Sequence, residues 1–324
     1  MSSFINRLRE QASLLKKRIA FPDATDPRAL RAVMILQDLG ICSPVLVGTR
    51  TDIENIALEQ GLSIEQIPIE DPSTSSSFED YVIKFAERRV SKGITLEQAR
   101  TQLQNPLYYA GMMAESNIVD GCVAGSLSTT GDVLRAAIQT VGIEKGISVV
   151  SSFFLMVFAE KILCYTDCGV VPEPNEDQLA DIALSAAKNF QKITGEEPRV
   201  AFLSFSTAGS AEHPAVLKVR KAAQIFHSKA PLIISDGELQ ADAALVPEIA
   251  IRKAPNSVVG GSANVLVFPD LNAGNISYKL TERLAGAQAL GPIIQAFNRP
   301  YCDFSRVCSV DDIVTIVALC SIMA

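Results

Sequence analysis

Ten residues late in the chain gather most of the side-chain types that chemistry uses. Asp303-Phe-Ser-Arg-Val-Cys-Ser-Val-Asp-Asp312 carries hydroxyls, a guanidinium, a thiol and three carboxylates. An apolar segment of helical length, Ile313 to Ile322, follows it. Ser309 and Asp312 have the spacing of a capping box, so Asp312 has an ordinary structural use, which is to bond the amides at a helix start. The same spacing sets Ser305, Arg306 and Asp312 around one helix N-terminus. A hydroxyl, a fixed cation and a carboxylate in so short an arc can orient an acyl phosphate and accept a thiol proton. Spacing alone leaves both readings open.

Three other segments have the composition of anion-binding loops: Gly125-Ser-Leu-Ser-Thr-Thr-Gly131, Phe205-Ser-Thr-Ala-Gly-Ser210 and Pro269 to Asn275. Each follows a short apolar run and precedes a helical pattern. In open α/β sheets ligands bind beyond the carboxyl ends of strands, where helix N-termini offer free N–H groups and partial positive charge. The candidate contacts are Ser128, Thr129, Ser206, Thr207, Gly209, Ser210, Asn272 and Asn275. Ordinary strand-to-helix connections have the same composition, and most bind nothing. No segment matches the P-loop or the Gly-x-Gly-x-x-Gly fingerprint.

The elements that must hold these loops read as repeated strand, loop and helix. Arg18 to Pro22 is a strand. Asp26 and Pro27 suit the N-cap and first position of the helix that runs to Gly40, and Pro44 to Gly48 is the next strand. The pattern returns at Asp120–Ala124, Val200–Ser204 and Asn264–Phe268, with helices expected from Asp132, from about Pro214 and through Leu284. Asn175 and Gln178 cap a further helix whose Leu179, Ile182, Ala183 and Ala186 share a face. This is an α/β chain of two domains with parallel or mixed sheets. The boundary is expected between the helix from Asp132 and a strand near Val149.

Composition narrows the function. The chain has 324 residues, 48% hydrophobic and 20% charged, with a net charge of −7 and no tryptophan. Such a chain does not attract nucleic acid or an anionic membrane through its overall field, so any anion must be met by local arginines and helix ends. The seven cysteines, an odd number, form no Cys-x-x-Cys pair and are accompanied by only two histidines. That argues for reduced thiols in the cytoplasm and against a metal site. Met1 to Lys17 lacks the apolar core of a signal peptide. Ile147 to Ala159 is too short to span a bilayer and reads as buried sheet. Ser73 to Ser77 reads as a surface loop.

Four segments together resemble the phosphate acetyl/butyryltransferase family: Arg199 to Ala211, Asp236 to Ala244, Asn264 to Asn275 and Asp303 to Asp312. The resemblance spans essentially the whole chain and is to its phosphate acetyltransferases, with the Gly-Ser-Leu-Ser-Thr-Thr loop near the ethanolamine-utilisation branch. It implies two α/β domains with an active-site cleft between them, usually in a homodimer. It also implies that the C-terminal segment returns to the first domain, giving 1–148 plus 300–324 and 149–299. The implied reaction exchanges acetyl between coenzyme A and phosphate. Acetyl-CoA and acetyl phosphate are substrates, with no permanently bound cofactor and no metal. Ser305, Arg306 and Asp312 match the family's catalytic positions. Arg89, before a Lys-Gly turn, and Arg135, in the helix after the Ser/Thr loop, match two further site arginines, with Arg88 adjoining the first. Three positions depart from the pattern: Ala208 for a common lysine, Val307 for a glycine, and Leu127 for a frequent histidine. Val307 fits only if that backbone position keeps a negative φ.

The implied mechanism is direct attack of the CoA thiol on acetyl phosphate in a ternary complex. Asp312 would take the proton, Ser305 would bond the oxyanion or phosphate, and the arginines would hold phosphate groups. A carboxylate at a helix N-terminus is a weak base, so orienting Ser305 or Arg306 is the other use for Asp312. A covalent route through Cys308 is the rival within this class, since a helix N-terminus favours thiolate. A phosphate butyryltransferase and a catalytically silent scaffold of the same fold are the other readings. A metal-dependent decarboxylating dehydrogenase shares the architecture, but clustered aspartates and an NAD fingerprint are missing.

Overall fold

The computed structural model describes residues 3–324. Met1 and Ser2, the start of the segment read above for a leader, lie outside it. From Ser3 that segment is the helix Ser3–Leu15, which buries Phe4, Ile5, Leu8 and Ala12. The chain divides into two compact units. One runs to Gly142 and resumes at Phe297–Ala324; the other is Ile143–Ala296. The outward passage comes earlier than the expected 148/149. It falls just after the helix Thr130–Gln139, where Gly142 takes a φ of 74° and donates its N–H to Ala137. The return passage falls beside Ala296, at a φ of 78°.

The first unit is built on a five-stranded parallel sheet in the order Tyr301–Asp303, Gly121–Ala124, Arg18–Phe21, Ser43–Val47, Ile69–Glu70. Helices packed on the sheet bury its inner strands, so Ile19–Phe21, Pro44–Val47 and Gly121–Ala124 read as apolar runs. The helix Val310–Met323 is apolar all round, and residues 313–322 are all buried. Such a helix belongs inside a core. It packs on the helices Ser3–Leu15 and Pro27–Asp38 and on the sheet. Asp26 and Pro27 start the latter helix as expected, with Asp26 accepting from the Arg28 N–H. Ser73–Ser77 is a largely exposed turn region.

The second unit holds a six-stranded mixed sheet: Gln288–Gln295, Ser151–Val157, Ile162–Thr166, Val265–Val267, Arg199–Leu203, Ile234–Leu239. The first two pairings are antiparallel and the rest parallel. Ser151–Val157 is buried at every residue. The helix Glu176–Thr194 begins with the Asn175/Gln178 capping box and ends on Gly195 in the left-handed region. No helix among the described residues is long and apolar enough to cross a membrane.

Candidate active site

In the first unit, several candidates meet at the carboxyl ends of two neighbouring strands. Gly121–Ala124 leads into the Ser128–Thr129 loop, and Tyr301–Asp303 leads into the Ser305–Arg306 turn. The turn closes with the Cys308 N–H donating to the Ser305 carbonyl at 2.9 Å. Ser305, Arg306 and Val307 are exposed, Val307 at 89%. Val307 is not among the residues with positive φ, so valine fits where the family pattern has glycine.

Arg28 pins this turn. One face of its guanidinium grips Asp26, Nε to Oδ1 at 3.2 Å and Nη2 to Oδ2 at 2.7 Å. Its Nη1 donates to the carbonyls of Arg306 (2.7 Å) and Cys308 (3.0 Å), and Nη2 to that of Ser126 (3.0 Å). One planar fork therefore ties the Ser126 loop to the Ser305 turn, a use for which lysine has too few donors. Burial works to raise the Asp26 carboxyl, but the Arg28 bonds outweigh it and hold it below the usual range. The sequence singles out Asp26 as a cap; Arg28 beside it gives no separate signal.

The Gly125–Gly131 loop does not hold its donors free, as an anion-binding loop would. The Asp23 carboxylate, buried just past the strand Arg18–Phe21, takes them first. Oδ2 accepts from the N–H of Gly125 (2.7 Å), Leu127 (3.1 Å) and Ser128 (3.3 Å), and Oδ1 accepts the Ser128 hydroxyl (2.6 Å). Ser128 is thus a structural residue in this state. Thr129 is the N-cap of the next helix, which starts at Thr130, not at Asp132 as expected. Arg135, one turn on, is exposed and paired with Asp132 at 2.8 Å.

Asp312 completes the capping box with Ser309. Its Oδ2 accepts from the Ser309 N–H (2.9 Å) and hydroxyl (2.8 Å), while its own N–H donates to Ser309 Oγ (3.2 Å). All of this falls on one oxygen. Cys308 is buried, and burial pushes its thiol up; Arg28 opposes the shift while Asp26 and Asp312 add to it. It is the opposite of an activated nucleophile.

The structure separates Arg88 from Arg89. Arg88 pairs with Glu115 (3.2 Å) and donates to the Val141 carbonyl (3.2 Å). Arg89, at the end of the helix Phe78–Arg89, has a buried Nε without a partner. No hydrogen bond joins it to the Ser305 turn.

In the second unit the Phe205–Ser210 loop repeats the Asp23 device around Glu238. That carboxylate accepts from Gly209 N–H (2.8 Å), Ser206 Oγ (3.1 Å) and Arg220 through Nε (2.9 Å) and Nη2 (3.1 Å). Burial works to raise its pKa, yet Arg220 and the loop donors bring it down to about 2. Ser210 Oγ accepts from the Thr207 N–H (3.0 Å), and Thr207 Oγ1 from the Gln240 N–H (2.9 Å). Ala208 sits at a φ of 48° beside Gly209 at 84°.

Asn272 and Asn275 were expected in a loop but lie in the helix Leu271–Ala285, which starts early because Asp270 caps it through the Ala273 N–H. Asn275 spends its amide on the Cys168 carbonyl at 3.1 Å, and Asn272 is exposed. The sequence signals missed altogether are the buried carboxylates Asp23 and Glu238. Asp23 lies in the unread gap between the strand Arg18–Pro22 and Asp26, and Glu238 inside the Asp236–Ala244 motif, with nothing to show that either charge faces a Ser/Thr/Gly loop.

A parallel α/β scaffold that presents an exposed Ser-Arg turn, a capped carboxylate and Ser/Thr loops at its strand ends is the frame of a group-transfer enzyme acting on an anionic substrate. The model of the family described as phosphate acetyl/butaryl transferase matches residues 3–321, and the chain belongs to that family. The chain is 44% identical over 328 residues to the phosphate acetyltransferase of Acetivibrio thermocellus, covering 99% of this chain and 98% of that protein. Two solved structures are similar throughout. One is the EutD phosphotransacetylase from Staphylococcus aureus, with 38% identity, a TM-score of 0.93, and 98% and 97% of the two chains covered. The other is a phosphotransacetylase from Streptococcus pyogenes, with 36% identity, a TM-score of 0.95, and 99% and 98% covered.

Proposed function

We propose that the chain is a phosphate acetyltransferase, moving acetyl reversibly between coenzyme A and inorganic phosphate. The observation that carries this is the Ser305–Arg306 turn, exposed at the strand ends and fixed by Arg28. Full-length relatives bearing that name support it.

A thiol with a pKa near ~8.5 is mostly protonated at neutral pH, so the reaction needs a proton acceptor and local positive charge. The thiol sulfur attacks the acetyl carbonyl of acetyl phosphate. Ser305 donates its O–H to the developing oxyanion or to phosphate. Arg306 takes the leaving phosphate through its planar fork, with Arg135 and Arg89 binding the same anion or CoA phosphates. Asp312 keeps the oxygen that the cap does not use for the thiol proton or for orienting Ser305. A protonated, buried Cys308 favours direct transfer in a ternary complex over an acetyl-enzyme. For Ser128, Thr129, Ser206, Thr207, Gly209 and Ser210, side-chain or backbone contact with substrate requires exchange of bonds now made within the protein.

The working state is a homodimer in the cytoplasm. Ile276, Leu280 and Leu284 form an exposed apolar stripe at i, i+4 and i+8 on one helix, 52–81% exposed, which supports a face covered by a second copy. Seven unpaired, buried cysteines support a reducing compartment.

The test is formation of acetyl-CoA from acetyl phosphate and CoA, followed as thioester. Arg306→Ala is expected to lower kcat/KM roughly ten- to hundredfold, the value of one charge-assisted bidentate contact, with Arg306→Lys recovering part. A higher kcat/KM for butyryl phosphate would reassign the acyl group. No turnover of either would favour a silent scaffold.

A further inference from the structure

Asp303 is unlike the other acids at these strand ends. Asp23 and Glu238 each fill both oxygens with donors. Asp303, 2% exposed, accepts one bond, from Thr130 Oγ1 to Oδ2 at 2.7 Å, and its buried Oδ1 has no partner. Among the described residues no cation bonds it. The one ionisable group that acts on it is the Asp23 carboxylate; the buried Tyr301 phenol on its own strand stays neutral, its pKa raised by burial and by neighbours that include Asp303.

Its position joins the two segments of the site. It ends the strand Tyr301–Asp303 and lies two residues before Ser305. Thr130 follows the N-cap Thr129 and opens the helix that carries Arg135. Gly125, which starts the Ser128 loop, sits against the free oxygen. A Cβ there would come within 2.4 Å of Asp303 Oδ1 and 2.3 Å of the Phe304 carbonyl. With φ at 114°, only glycine suits that contact.

We propose that Asp303 is a positioning residue for acetyl transfer: its ionised carboxylate, held by Thr130 and packed on Gly125, sets the Arg135 helix and the Ser128 loop against the Ser305–Arg306 turn. The inference rests on the functional reading above. A charge-assisted bond is about twice as strong as a neutral one, so the strut is firm when Asp303 is ionised and slack when it is protonated. Burial, with the Asp23 charge adding and Thr130 opposing, pushes this carboxyl up to about 6. Protonation therefore falls within reach of ordinary assay pH.

The sign of the stability effect separates this role from a merely structural one. A carboxyl whose folded pKa is raised contributes stability that is complete below the unfolded value of 3.8 and is lost as pH rises through about 6. Asp303→Asn, a permanent mimic of the protonated form, should melt at or above wild type near pH 8, with the difference shrinking near pH 5. Its kcat should nonetheless fall by about 10- to 100-fold near pH 8, the scale of small misplacements in a site. Its KM should change little, and the acid limb centred near 6 should disappear. Thr130→Val should lower kcat similarly, and Thr130→Ser should restore it. If Asp303→Asn keeps wild-type kcat with an unshifted acid limb, the inference is wrong. Should Asp303→Asn not fold, equal kcat in Thr130→Val and Thr130→Ser overturns the inference just as firmly. A wild-type protein that makes no acetyl-CoA in the same assay defeats the functional reading instead, a separate result.

Discussion

Asp312 can serve two masters because the cap occupies only its Oδ2. Asp312→Asn is expected to keep most of the cap while lowering kcat by about 10²–10⁴-fold, the range for losing an acid–base group. Ser309→Ala removes the other half of the box and should cost about 0.5–2 kcal/mol in stability, with kcat retained in the folded fraction. Turnover and thermal melts read the two effects independently. Activity lost by both variants only in step with folded protein would make Asp312 a cap and nothing more. At this scale the sequence was legible where a motif had local spacing. The Ser309/Asp312 box, the Asp26 cap and the Asn175/Gln178 pair all formed as read. It was not legible where partners lie far apart in the chain: nothing near Asp303 announces Thr130, and nothing near Arg28 announces the Arg306 carbonyl.

At the scale of elements, one device recurs. Asp23, Glu238 and Asp167 each sit at or beyond a strand and gather loop N–H and hydroxyl donors onto one carboxylate. Asp167 accepts from Ser152 through both N–H and Oγ, and from Gly169 and Val171. Two loops that look like phosphate cradles by composition are thus built around an internal anion. The sequence shows small, donor-rich loops but not which anion fills them, because a carboxylate and a phosphate ask for the same donors. Glu238 offers a direct test, since its side chain is 2% exposed while Arg220 is 34% exposed. Arg220→Ala leaves the Glu238 charge with only its loop donors and should lower the melting temperature near neutral pH. A depressed carboxyl contributes stability that is present above its unfolded value of 4.5 and is lost as pH falls through about 2. The wild type should therefore hold this contribution at pH 5 and lose it progressively as pH falls from about 4.5 to about 2. Melting temperatures across pH 2–7 check it; an Arg220→Ala penalty that does not shrink as pH is lowered towards 2 would contradict the assignment.

On the whole molecule, the exposed stripe Ile276, Leu280 and Leu284 carries the prediction. If the proposed homodimer uses this face, Ile276→Glu with Leu280→Glu should convert it to a monomer in light scattering, with the melting temperature of the monomer little changed, because neither side chain is buried in one copy. A dimer that survives both charges assigns the interface elsewhere. The architecture itself was largely readable from strand, loop and helix alternation, and the family resemblance supplied the return of the last segment. The two passages between units were placed a few residues off. The outward turn is set by a single glycine, Gly142, in a stretch without periodicity.

That returning segment has a consequence in time. The strand Gly121–Ala124 pairs on one side with Arg18–Phe21 and on the other with Tyr301–Asp303. All of Ile143–Ala296 is synthesised between the two. At 5–20 residues per second this interval lasts on the order of ten to thirty seconds. During it the first unit has an open sheet edge and lacks the apolar helix Val310–Met323, while the inserted unit gains its sixth strand, Gln288–Gln295, just before the first unit resumes. Translation order and folding order are therefore reversed: the unit that begins first finishes last. An unpaired edge is a template for other chains, so the nascent protein is most exposed to misassociation while its second half is being made.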